Sequence, residues 1–363
     1  MPVLKMIKTK ATIILILAGL LAFGSLISGS ISSAQQSPPV PAPAPTPPPL
    51  PVEDEGVLVI DSEVVNVLFT AQDKQRRLLT NLQQSDIRLL ENDQPQEIVA
   101  FVRKIDLPLS LTILIDTSAS QERTLPEEKD AAKSFIESVV RPTKDEVAII
   151  SFTGEATLEQ GMTSNVSRLR RAVDRVTFVP PSGYVGGGVV VGTPPISGGN
   201  QTTAGSTAIW DAIWVTSEEV LGPAPEGTRR AVILLTDGVN TSGLKKIKDA
   251  IDAALKAEAV IYSIGIGDNY YDGVNKGALR KISESTGGHA FFPRDEGELR
   301  DSFRQIQEEM RSQYLIAYEP SNQAKDGSYR KIEVQLLNTN LAKDKVTLTH
   351  REGYFAKTEK KKN

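Results

Sequence analysis

Cysteine is absent from all 363 residues, and histidine occurs only at His289 and His350. The first absence removes disulfides, thiolate catalysis, iron–sulfur clusters and lipid attachment through sulfur. The second argues against an imidazole-rich metal centre, so any metal chemistry here rests on oxygen ligands. An excess of positive charge is also missing: 41 Lys and Arg stand against 45 Asp and Glu, a formal charge of −4. Non-specific nucleic-acid binding needs clustered cations, so no nucleic-acid partner is expected. What the chain does have is 40% apolar residues, enough for packed cores and too many for disorder throughout. Its length suits two domains or three.

The front reads as an export signal. Residues 1–34 open with Lys5, Lys8 and Lys10, run through an almost wholly apolar 11–27, and end on the small residues Ser32, Ser33 and Ala34. About 17 apolar residues is also the short edge of spanning length, so an uncleaved anchor through 11–27 is the alternative and the one membrane contact expected. Either way the remainder is expected outside the cytoplasm: secreted, periplasmic or at the cell envelope. Residues 35–55 form a linker, in which nine of the sixteen residues 37–52 are proline. That composition favours an extended polyproline II spacer.

Behind the linker the pattern changes twice. Residues 56–106 read as short strands, with Val65, Val67 and Phe69 alternating. Residues 107–313 alternate apolar strands, at 109–115, 146–152, 231–235 and 260–264, with amphipathic helices. The helices fall at 127–140, 168–176, 208–220, 244–257, 277–285 and 296–311. This order predicts an α/β fold, a doubly wound and mostly parallel sheet covered on both faces. Residues 314–356 return to strands, with Ile332, Val334 and Leu336 alternating, and 357–363 form a basic tail. Neither β stretch, at about 50 and 45 residues, comfortably buries a core alone. The two are therefore expected to pack together as a small β-sandwich with the α/β domain inserted between them; two separate small β appendages flanking it are the alternative.

The stretch 180–205 carries eight glycines and little periodicity, and is expected to be a flap beside the site. It is no phosphate loop, because no Lys-Ser/Thr follows its glycines; Gly265-Ile266-Gly267 lacks the third glycine and fails likewise. Glycosylation triplets begin at Asn165, Asn200 and Asn240, and are read as chance matches to a short pattern.

The first α/β strand runs into Asp116-Thr117-Ser118-Ala119-Ser120, and the strand at 231–235 into Thr236-Asp237-Gly238. Gly205-Ser206-Thr207 stands just before the helix at 208. In an open parallel sheet, ligands collect beyond the carboxyl ends of the strands. Asp116, Ser118, Ser120, Thr207 and Asp237 thus offer two carboxylates and three hydroxyls, a set suited to a hard divalent cation. Singly, each is an ordinary cap or turn residue. Jointly, at the ends of successive elements, they make a candidate site.

These segments, the one before the helix extending through Ala208-Ile209-Trp210-Asp211-Ala212-Ile213, resemble the three signature segments of von Willebrand factor A domains, over about residues 107–313. The resemblance implies a metal-ion-dependent adhesion site. In it Ser118, Ser120 and Thr207 would bind Mg²⁺ through hydroxyls, and Asp116 and Asp237 directly or through water. Mn²⁺ and Ca²⁺ are the other candidates. One coordination position is left for an acidic residue of a partner protein, so the resemblance implies a non-enzymatic adhesion or scaffold module. The flanking strands, 314–318 and 353–355 included, resemble secreted bacterial proteins of this class. One alternative is a Mg²⁺-dependent phosphoryl-transfer hydrolase, although Ser118 stands where haloacid dehalogenase-type enzymes carry a second Asp. No Ser-His-Asp set is suggested, since G-x-S-x-G is missing. The other alternative is a structural envelope subunit with a vestigial metal site.

Overall fold

Burial along each strand decides which sheet it can join. The computed structural model describes residues 64–103, 106–180, 206–267 and 273–358, with the backbone alone at 184–185 and 189–190. All of them belong to one unit, Ile60–Asn363. The expected leader and linker, and most of the glycine-rich stretch, lie outside the described residues. Among the described residues no helix is long and apolar enough to cross a membrane.

The chain opens with β1 (Val65–Gln72), β2 (Ile87–Glu91), β3 (Gln94–Gln96) and β4 (Ile98–Arg103). The α/β part starts with β5 (Leu109–Asp116), α1 (Leu125–Val139), β6 (Glu146–Phe152), β7 (Ala156–Thr163) and α2 (Val166–Arg175). The two-residue strands β8 (Tyr184–Val185) and β9 (Val189–Val190) pair with each other, and α3 (Ile209–Val215) follows. Next come β10 (Arg229–Thr236), α4 (Ile247–Lys256), β11 (Ala259–Gly265), α5 (Lys276–Thr286), β12 (Ala290–Phe291) and α6 (Glu296–Arg311). The chain closes with β13 (Tyr314–Tyr318), β14 (Tyr329–Leu336), α7 (Thr339–Lys343), β15 (Thr347–His350) and β16 (Gly353–Phe355).

The central sheet has the order β12-β11-β10-β5-β6-β7, parallel except for β7. Every residue of β5 is buried, as a strand covered on both faces requires. Leu111, Ile113 and Ile115 face a core built with α1, α2 and α6, where Phe135 and Phe303 meet at 5.0 Å. Leu114, with Val232 and Leu234 of β10, faces the opposite core against α3, α4 and α5. Sheet and helices thus form the doubly wound α/β fold expected. The edge strand β7 was not anticipated: ATLEQGMT lacks apolar alternation, and its shape follows from antiparallel pairing with β6, Phe152 opposite Ala156. The expected helix at 244–257 begins instead at Ile247, because 240–245 is tied to the functional site.

The remaining strands form two antiparallel four-stranded sheets, β15-β1-β13-β4 and β16-β14-β2-β3. Each sheet mixes strands from before and after the α/β part. The chain leaves from β4 and returns on β13, and these two strands pair directly, Leu315 opposite Val102. Val67, Phe69, Leu89, Tyr314, Ile316, Ile332 and Val334 share a third core, in which Phe69 stacks on Tyr314 at 4.9 Å. Both histidines make ordinary polar contacts, His289 between this region and the α/β part and His350 within the flanking strands. His289 Nδ1 meets Glu309 at 2.8 Å and its Nε2 meets Thr349 at 3.1 Å, while His350 Nε2 accepts from the Val334 amide at 3.1 Å.

Candidate metal centre

Strand order places the site before any side chain does. From β5 the chain crosses to β6 on one side, whereas β10 lies on the other and leads away to β11. The carboxyl ends of β5 and β10 are therefore adjacent at the point where the winding reverses, the crevice in which open α/β sheets bind ligands. Leu235 pairs with Ile115, so the next residues outward, Asp116 on one strand and Thr236 on the other, emerge side by side.

Asp116 is fully buried. Its Oδ1 accepts from the Ser118 amide at 2.9 Å, and its Oδ2 accepts from the Thr236 hydroxyl at 2.6 Å. The first bond bends the chain just past the strand and brings Ser118 Oγ within 3.2 Å of Ser120 Oγ. Asp237 accepts from the Val239 amide at 2.8 Å, and the Ser120 hydroxyl is near enough to ease its charge. Gly238 has φ +80°, and a Cβ there would lie 2.7 Å from Leu279 Cγ, so glycine is required by both backbone and space. Asp116, Ser118, Ser120 and Asp237 accordingly gather at one place, drawn from two strand ends.

Thr207 is fixed separately, through its backbone. Its amide donates to Thr241 Oγ1 at 2.8 Å, and its carbonyl accepts from the Thr241 and Ser242 amides at 2.9 and 3.1 Å. The next amide, Ala208, donates to the Thr153 carbonyl at 2.7 Å, just beyond β6. Thr207 is therefore held between the ends of β6 and β10. The same loop is fixed to α3 by Asp211, whose carboxylate accepts from the Leu244 and Lys245 amides. Asn240 accepts from the Trp210 amide at 3.3 Å and donates to the Ser242 carbonyl at 2.7 Å. Asn165 caps α2 by accepting from the Arg168 amide. Both asparagines thus use their side chains locally.

Burial drives the electrostatics. It pushes Asp116 up to about 7; the Thr236 and Ser118 hydrogen bonds pull the other way, and the charge of Asp237 adds to the rise. Asp237 is raised too, chiefly by burial. A third acid, Glu128 in the first turn of α1, is fully buried, and burial together with the fields of Asp116 and Asp237 pushes it up to about 8. Sequence reasoning missed this residue, because an acid in a first helical turn reads as ordinary dipole compensation. Thr236, the hydroxyl that holds Asp116, was visible only as the residue before Asp237.

The residues fit a hard divalent cation. Carboxylates gathered in a buried place stay charged only beside a compensating charge, and none of the hydrogen bonds found for Asp116 and Asp237 comes from Lys or Arg. Hydroxyls supply neutral oxygen ligands, and magnesium keeps waters to complete its shell. Among the described residues no three acids or histidines cluster closely enough to bind one ion, in keeping with a set rich in hydroxyls.

A pH dependence follows for the metal-free protein. A carboxylate raised to about 8 in the fold retains a proton that the unfolded chain has already released. Stability from this group is complete below the ordinary carboxylate range and is lost as pH rises through about 8. Asp116 acts in the same direction. Burial holds His350 below its ordinary 6.5, which acts oppositely at lower pH, so pH 6.5–8.5 is the window that isolates the acids. In EDTA the unfolding midpoint should fall across it; a rising midpoint would contradict the assignment.

A doubly wound α/β sheet with two buried acids and the Ser118 and Ser120 hydroxyls at its switch point is the class of protein defined by this geometry. Residues 111–240 and residues 196–305 each match a family model described as von Willebrand factor type A domain, and the chain is a von Willebrand factor type A domain protein. No curated protein matches it. Among solved structures it is similar to proximal thread matrix protein 1 from the mussel byssus, at 22% identity and a TM-score of 0.44, covering 61% of this chain and 51% of that one. A form of that mussel protein with a zinc-occupied MIDAS motif gives 17% identity and a TM-score of 0.43, covering 58% and 49%. An aerotolerance-related membrane protein from Bacteroides fragilis gives 16% identity and a TM-score of 0.41, covering 56% of this chain and all of that one. The chain spans about half the length of the mussel proteins it matches.

Proposed function

We propose that this chain is an extracytoplasmic adhesion or scaffold module that grips an acidic residue of a partner protein through a divalent cation. Von Willebrand factor type A domains in general bind other proteins and are typically not enzymes. The finer reading assigns Asp116, Ser118, Ser120, Thr207 and Asp237 as the residues that hold the ion, with Mg²⁺ favoured over Mn²⁺ and Ca²⁺. The observation that carries it is the convergence of two buried acids from neighbouring strand ends with the Ser118 and Ser120 hydroxyls, without a basic side chain among their hydrogen-bond partners. A bound ion supplies a Lewis-acid contact for an incoming carboxylate. Hydroxyl ligands neutralise little of its charge, which favours an anionic partner group.

The test is capture of envelope proteins by the immobilised chain, with Mg²⁺ and with EDTA. Capture should vanish in EDTA and return with Mg²⁺; capture indifferent to EDTA would sink the reading. Brisk turnover of phosphomonoesters would favour the hydrolase instead. We also propose that 56–106 and 314–356 act as one folded unit carrying the type A domain as an insert. Deleting 314–358 should then unfold the N-terminal β segment as well, seen as loss of hydrogen-exchange protection at Val67 and Leu89. Persistent protection there would show two independent appendages.

A further inference from the structure

Glu128 lies on α1, one turn beyond the Ser118–Gln121 bend that carries the candidate ligands. Its side chain is wholly buried, and neither carboxylate oxygen has a hydrogen-bond partner. Buried polar groups are nearly always paired, so an orphaned acid calls for a water or an ion that completes it. The Thr124 hydroxyl is near enough to ease the charge, yet its proton goes to Gln121 Oε1 at 2.9 Å. The charges felt most strongly by Glu128 are all negative: Asp116, Asp237 and its neighbour Glu127. Packing alone would favour leucine or glutamine here, because an acid without a cation burdens the fold. The burden is relieved if a cation sits among the three carboxylates.

We propose that Glu128 is a positioning residue of the cation site, supplying a third negative charge to the ion through water rather than as a direct ligand. The inference rests on the cation reading of Asp116 and Asp237. Among the described residues no three acids approach closely enough to bind one ion together, which leaves Glu128 outside the inner shell. Magnesium retains several waters, and outer-shell groups that accept hydrogen bonds from such waters orient the site and tune its affinity. Glu128 also stands in the first turn of a helix, where the dipole favours its charged form once a cation balances the neighbouring acids. Affinity for the ion and stability of the metal-free fold are thereby set against each other at one side chain.

The test uses the full chain as wild type, Glu128→Gln, Glu128→Leu and Asp116→Ala, titrated calorimetrically with Mg²⁺, Mn²⁺ and Ca²⁺ separately and melted with and without EDTA. Glu128→Gln and Glu128→Leu should bind Mg²⁺ about 10- to 100-fold more weakly than wild type. In EDTA the same variants should melt higher than wild type, by roughly 3 °C or more. A merely structural acid would give the opposite melting change and leave metal affinity unmoved. Wild-type affinity in Glu128→Gln, or failure of both Glu128 variants to fold in EDTA, would overturn the proposal while leaving the cation reading intact. If wild type binds none of the three ions, both readings fall together.

Discussion

Asp116→Ala is expected to lower Mg²⁺ affinity by at least about 100-fold, beyond the loss typical of outer-shell partners, and to abolish partner capture. The same change should leave the metal-free protein cooperatively folded. Asp116 stands past the last residue of β5 that packs into a core, and its bonds go to the Ser118 amide and the Thr236 hydroxyl. Losing them costs about 1–2 kcal/mol. Against that, a buried acid raised to about 7 by burial and by Asp237 is removed, which relieves an opposing burden at neutral pH. The two changes oppose each other, so the variant should unfold in EDTA as cooperatively as wild type and no less stably by more than about 2 kcal/mol. With Mg²⁺ at about 100 times the wild-type Kd, linkage stabilises wild type by about 2.7 kcal/mol and the variant hardly at all. Denaturant unfolding with and without Mg²⁺, beside calorimetry, checks both halves. If Asp116→Ala unfolds in EDTA, the residue is a keystone of the fold; if it keeps Mg²⁺-dependent stabilisation, the ion sits elsewhere.

The candidate ligands were legible because they are local in sequence and sit at element ends. Asp116 to Ser120 follow a strand so apolar that its end is unmistakable, and the same holds for Thr236-Asp237-Gly238 after β10. The α/β order was legible for the same reason, since each central strand is buried on both faces. What escaped was set by distant neighbours. Strand β7 carries no pattern of its own and takes its conformation from β6. Residues 244–246 look like the start of α4, but the Leu244 and Lys245 amides are claimed by Asp211 of α3 across the site. Glu128 is one of two acids in a helical first turn, and its isolation exists only once α1 has packed.

Arg330→Ala is expected to destabilise the protein by about 3–5 kcal/mol, because it strands a buried acid. Glu91 and Arg330 are each 3% exposed, their charged groups 3.6 Å apart. Glu91 Oε2 also accepts from the Tyr318 hydroxyl at 2.7 Å and the Tyr354 hydroxyl at 2.8 Å, while Arg330 donates to the carbonyls of Asn322 and Ala324. Burial and the Glu91 carboxylate push Tyr354 up to about 12, so both phenols remain donors throughout the working range. Glu91 comes from β2, and its partners come from β13, β14 and β16, so one polar cluster ties the strands before the α/β part to those after it. Tyr318→Phe removes one of the two hydrogen bonds to the Glu91 carboxylate and should cost about 1.5–3 kcal/mol. Replacing both members, Glu91→Leu with Arg330→Leu, should recover most of the loss, since an apolar pair of similar size removes both desolvated charges together. Urea unfolding of the two single variants and the double variant separates the pair from its parts. Mg²⁺ affinity, measured where each variant is still folded, should not change, because the cluster lies among the flanking strands and not at the ends of β5 and β10. A loss below about 1 kcal/mol in Arg330→Ala would mean that water reaches Glu91 and that the flanks are held by their apolar core alone.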